Sequence, residues 1–234
     1  MRLTHLLGSE VVTLEGRQLG QVHDVHLVQD GPPLGTFGAA LRLDAMLVGP
    51  GSLGARFGYS HGHVHAPLLI AATLHRTRRD AIHVPWSAVR AVREGSLVVQ
   101  THRDFRSATP AGRQVDAAYE LLDRQMIDID GMHAGKVDDL GFRWPEAGGA
   151  PYVDAILSGP GALARRVGGR PGRAWASLHR RLSDREDGET ATVSFGVVTR
   201  ISSDIGLAVG REDLDVMAFE AWVRDHVISK IPGA

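Results

Sequence analysis

The sequence predicts a mainly β protein with α insertions, laid out as two tandem small β-barrels followed by a C-terminal helix. An internal repeat is the first ground: Leu6–Val25 (LLGSEVVTLEGRQLGQVHDV) aligns without a gap on Leu121–Leu140 (LLDRQMIDIDGMHAGKVDDL). Asp44–Gly58 and Asp154–Gly168 agree at more than half of their positions. A repeat of ~110 residues is far longer than a solenoid unit, so each copy is expected to carry its own core. The second ground is many short strand patterns at close spacing, punctuated by glycine turns.

In the first copy, Glu10–Leu14 is rich in β-branched residues, Glu15-Gly16 supplies a turn, and Gly20–Val28 alternates apolar and polar residues at the strand period. The second copy repeats the hairpin as Met126–Ile129, Asp130-Gly131 and Lys136–Phe142. A further strand, Ala39–Val48, ends at Gly49-Pro50-Gly51, and its counterpart Tyr152–Leu157 ends at Gly159-Pro160-Gly161. Short helical pieces follow, and Pro67 and Pro171 are placed to open longer ones. Closing strands are expected at Ile82–Trp86, Val89–Val92 and Ser96–Gln100, and at Thr192–Phe195, Val197–Ile201 and Gly206–Val209. Expected core residues are Val22, Val25, Val84 and Trp86 in one copy, and Val137, Leu140, Val193 and Phe195 in the other.

The resulting division is a first barrel over residues 1–100, a linker over 101–118 that contains Pro110 and Gly112, a second barrel over 119–211, and a C-terminal helix over 212–234. In that last segment Leu214, Met217, Ala218, Ala221, Trp222 and Val227 recur at helical spacing.

The chain has 234 residues, no cysteine and a formal net charge of -1. Disulfides and thiolate chemistry are therefore excluded, and a reducing cytoplasm is the expected location. The longest apolar run, Ala66–Leu74, is well short of the ~20 residues a bilayer crossing requires, so no membrane span is expected. Lysine occurs only at Lys136 and Lys230, an arginine-heavy usage that fits a GC-rich bacterial genome.

Two motif patterns occur without their structural context. Gly49–Gly54 fits G-x-G-x-x-G, yet no βαβ unit with a ribose-binding acid follows. Gly58–Gly62 fits G-x-S-x-G, yet no strand leads into it and the second copy has no serine there. His61, His63 and His65 alternate, so an extended backbone would project three imidazoles from one face toward zinc or nickel. Gly62 and Pro67 equally fit a loop of solvated histidines, and no other cofactor is expected. From Arg165 to Arg185, Arg165, Arg166, Arg170, Arg173, Arg180, Arg181 and Arg185 form a basic cluster with Asp184 as its single acid. It reads either as a solvated helical face or as a contact for RNA, phosphate or an acidic protein.

The opening Leu6-Leu7-Gly8, the run Leu19–Val25 and the segment Ile82–Val89 resemble the PRC-barrel family. This small β-barrel is named for the cytoplasmic domain of the photosynthetic reaction centre H subunit and is shared by a ribosome-maturation factor. The second copy resembles it through Asp130-Gly131 and Gly135–Asp139. The resemblance implies a docking module without catalysis, and no carboxylate pair, triad or nucleotide loop emerges from the residues themselves. The expected function is thus a non-enzymatic cytoplasmic adaptor that binds a protein partner, with the arginines above and Trp222 as contact residues. The alternatives are association with RNA or the ribosome, and regulation beside a membrane transporter or a respiratory or photosynthetic assembly.

Overall fold

The computed structural model describes residues 1–50, 82–100, 113–159 and 191–214. Strands predominate among them, as the alternating and β-branched runs require. In chain order they are β1 (Glu10–Thr13), β2 (Gln18–Leu34), β3 (Gly38–Gly49), β4 (Ile82–Pro85), β5 (Val89–Arg93), β6 (Ser96–Val99) and β7 (Gln114–Asp116). These are followed by β8 (Gln125–Ile127), β9 (His133–Lys136), β10 (Asp139–Arg143), β11 (Tyr152–Ser158), β12 (Ala191–Ser194), β13 (Val198–Ile201) and β14 (Ile205–Leu207). One four-residue helix, α1, spans Leu3–Leu6. No helix among the described residues is long and apolar enough to cross a membrane.

The chain divides into two compact units. Unit 1 comprises Met1–Pro33, Ala39–Leu121 and Gly141–Val153, and unit 2 comprises Leu34–Gly38, Leu122–Leu140 and Asp154–Ala234. In unit 1 the strands follow the order β3-β2-β1-β6-β5 in a curled, half-barrel sheet, with β4 on β3 and β7 on β2. β1 runs parallel to β6, and β5 returns antiparallel beside it. Residues 114–121, which the sequence reading divided between linker and second barrel, form β7 and one π-helical turn, Ala117–Leu121. Buried apolar side chains of this unit include Leu6, Val11, Val22, Val25, Leu43, Met46, Val84, Trp86 and Leu97.

Unit 2 carries the sheet β13-β14-β8-β9, again with one parallel pair, β8 with β14. Buried in it are Met126, Val137, Leu140, Ile156, Val193, Phe195, Val198 and Ile205. The expected strand Lys136–Phe142 is broken after Lys136: the Asp138 N–H bonds to Leu157 O (2.9 Å) and its carboxylate accepts from Gly159 N (2.7 Å).

The strand endings differ from the alternation pattern in one respect. Trp86 and Phe195, expected to finish strands, instead open 3-10 turns, Trp86–Ala88 and Phe195–Val197. Pro85 has no N–H to continue a ladder, and the Ser194 side chain accepts the Gly196 N–H at 3.2 Å, so each strand gives way to a turn at its aromatic residue. Both aromatics remain buried. The C-terminal helical pattern lies outside the described residues except for its start, where Arg211–Asp213 is a 3-10 turn. The helices expected after Pro67 and Pro171 lie wholly outside them.

Candidate functional site

His61, His63, His65, Arg165, Arg166, Arg170, Arg173, Arg180, Arg181 and Trp222 all lie outside the described residues. Two other features of unit 1 concentrate chemistry.

The first is a groove of about 850 Å³. Val89–Val92 of β5 and Pro85, Trp86 and Ser87 just before it form one lining, while Arg42, Asp44, Trp144, Gly149 and Ala150 contribute the rest. The indoles of Trp86 and Trp144 lie 5.8 Å apart, tilted by 48°. Trp86 is buried, whereas Trp144 is 49% exposed, so the pair offers one face to solvent. Arg42 is held by both oxygens of Asp30 (2.7 Å each) and by Asp44 (3.2 Å), which raises its already high pKa and fixes its guanidinium. Arg90 bonds to the neutral side chain of Gln100. A smaller adjoining cavity of about 560 Å³ shares Trp144 and Val92 and adds Arg93, Glu94 and His5.

The second feature is a histidine pair at the junction of β2, β4 and β7. His26 and Asp116 face each other across the β2–β7 ladder, with Nδ1 and Oδ1 2.6 Å apart. The His83 imidazole stacks on that of His26, centroids 4.7 Å apart and planes 15° from parallel. Burial works against a charge on His26, but the hydrogen bond and charge of Asp116, aided by Asp24 and Asp44, outweigh it and raise its pKa. His83 shifts the opposite way, lowered first by burial and then by the neighbouring His26. Asp24 anchors the same junction: its Oδ1 accepts the Val25 N–H (2.7 Å) and the Ala118 N–H (2.8 Å). The Nε2 atom of His26 is buried and has no hydrogen-bond partner among the described residues. Among those residues no three His, Asp or Glu side chains are grouped to hold a metal ion.

Sequence patterns single out neither feature. Trp144 stands in a stretch rich in glycine and proline that no strand or helix periodicity covers. Asp116 belongs to a segment whose polar composition reads as a linker, and only the β2–β7 register reveals its partner.

Unit 2 holds a close-packed aromatic turn. Phe37 meets Phe195 edge-on at 4.9 Å, and the Thr36 hydroxyl lies 3.0 Å from Gly196 O and 3.1 Å from Val198 O at the start of β13. Gly35 packs so tightly that a Cβ there would stand 2.1 Å from Gly196 O. No model of a known protein family matches the sequence, and no curated protein matches it.

Proposed function

We propose that this chain is a non-catalytic docking protein built from two PRC-barrel-like modules, and that its contact with a protein partner runs through the Trp86–Trp144 groove of unit 1. The observation that carries the reading is the groove itself: a half-exposed indole on a buried one, flanked by arginines, has the residue make-up enriched at protein contact surfaces. Among the described residues, His26 has its unpartnered nitrogen buried, out of reach of a substrate.

The duplication is supported by matching registers. β3 pairs with β4 as Ala45↔Pro85, Met46↔Val84, Leu47↔His83 and Val48↔Ile82; β11 pairs with β12 as Ala155↔Ser194, Ile156↔Val193, Leu157↔Thr192 and Ser158↔Ala191. The first hairpin turn bonds Arg17 N to Thr13 Oγ1 (3.2 Å), and its counterpart bonds Met132 N to Asp128 Oδ1 (2.7 Å). His23 Nε2 reaches Pro50 O at 3.0 Å, while Asp138, at the aligned position, receives Gly159 N from the corresponding turn. These recurrences support two copies of one module with differently finished surfaces.

Crosslinking with mass spectrometry in intact cells tests the reading. The expected result is a recurrent protein partner crosslinked to residues around the groove. Recovery of the chain alone, together with turnover of a small substrate by the purified protein, would overturn it. Retention of RNA that weakens steeply with salt would replace it with the ribosome-associated alternative.

A further inference from the structure

We propose that the outer edge of β5 takes up an extended, acidic segment of a partner protein as an added strand, a site that deepens and rests on the docking reading above. Among the described residues β5 stands at the end of its sheet and pairs with β6 alone. A strand with one antiparallel neighbour turns alternate N–H and C=O groups outward, and such an edge is a template for another chain. The groove runs beside this edge, lined by Val89–Val92. The ladder with β6 shifts register between Val89 and Ala91 and is regular over Ala91–Arg93; at ~3.3 Å per residue that stretch spans ~10 Å, room for about three residues of an added strand.

In unit 2 the start of the corresponding edge is covered by a turn of the chain itself. The aligned strand there, β13, has the Gly35–Phe37 turn against its start, with the Thr36 hydroxyl on the Gly196 and Val198 carbonyls. In unit 1, Trp144 takes the aromatic place against Trp86, and among the described residues the groove stays open beyond it.

The charge selects the occupant. Neither Arg90 nor Arg93 forms an ion pair with a carboxylate among the described residues, whereas Arg42 is already matched by Asp30 and Asp44. Two arginines on one short strand would repel the same strand of a second copy and attract carboxylates. The 42% exposed Val92 and the outer face of Trp144 seat apolar side chains. An extended peptide that alternates acidic and apolar residues presents one set to each.

The test titrates the full chain with a capped peptide of alternating glutamate and valine carrying one central phenylalanine. Binding is followed by tryptophan fluorescence and by amide shifts of Ala91 to Arg93. The expected result is saturable binding, weakened at least ~10-fold when alternate peptide amides are N-methylated, when lysine replaces glutamate, or in the double variant Arg90→Glu, Arg93→Glu. Trp144→Ala supplies a second variant at an exposed position and should weaken binding without unfolding the protein. Equal binding of the N-methylated peptide, absence of binding, or preference of Arg90 and Arg93 for an oligoribonucleotide would each overturn the proposal. Failure of the peptide alongside partner crosslinks to the groove residues removes the edge site and leaves the docking reading standing. Peptide binding without any cellular partner supports the edge site and removes the docking reading instead.

Discussion

His26 and Asp116 are directly opposed across two strands, and their side chains close to 2.6 Å, tying the three-residue β7 to β2. A strand that short has few ladder bonds, so this contact and the Asp24–Ala118 bond are a large part of what attaches it.

The histidine pair predicts a pH dependence of definite sign. The folded-state pKa of His26 is raised above 6.5, so the stability it contributes is fully present below 6.5 and is lost as pH rises through its higher folded value. His83 has a lowered pKa, so its contribution is present above 6.5 and is lost as pH falls through its folded value. Two-dimensional NMR of the imidazoles should show His26 titrating above His83. Amide protection of Val115 and Asp116, corrected for the intrinsic base-catalysed rate, should fall as pH rises above 6.5. In Asp116→Asn the His26 pKa should drop and this alkaline loss of protection disappear. The reverse order of the two titrations would contradict the geometry.

Trp86 and Phe195 each open a 3-10 turn and are 6% and 0% exposed. Truncation of either to alanine leaves a large cavity and should cost ~3–5 kcal/mol in denaturant unfolding. Trp144→Ala, at a half-exposed ring, should cost well under half of that. An equal loss for Trp86 and Trp144 would place the buried aromatic wrongly.

Asp24 is 4% exposed and accepts two backbone N–H groups. Asp24→Ala strands the Ala118 donor in a buried place, which costs ~1–3 kcal/mol. Asp24→Asn keeps an acceptor oxygen and should recover part of the loss. Exchange at Ala118 should report the difference directly.

The mainly β character was legible because alternation and glycine turns are local signals, and the repeat printed each of them twice. Val22, Val25, Val84, Val137, Leu140 and Val193 are buried as their strand positions predict. What escaped were contacts with no local signature. β7 is three residues long and follows a proline- and glycine-containing polar stretch, so its pairing with β2 depends on a register between residues 90 apart. The groove depends on a loop residue, Trp144, that no periodicity covers. Conversely, the histidine and arginine clusters stand out in the sequence by composition alone, and they lie outside the described residues.

The close approach of Gly35 to Gly196 allows a last prediction in which two glycines act as each other's control. Gly16 and Gly35 both have positive φ, +82° and +49°, so alanine at either costs the ~1–2 kcal/mol of a left-handed residue. At Gly16 nothing lies within 4 Å of the added methyl, and the loss should stop there. At Gly35 the methyl would stand 2.1 Å from the Gly196 carbonyl oxygen, a backbone atom that cannot swing aside like a side chain. The turn must retreat, which pulls Thr36 from the Gly196 and Val198 carbonyls and Phe37 from Phe195. Gly35→Ala should therefore cost ~1–3 kcal/mol more than Gly16→Ala in denaturant unfolding, the range typical of overpacking. Equal costs would mean that the turn does not seat on Gly196, and the contrast between the closed edge of β13 and the open edge of β5 would lose its basis.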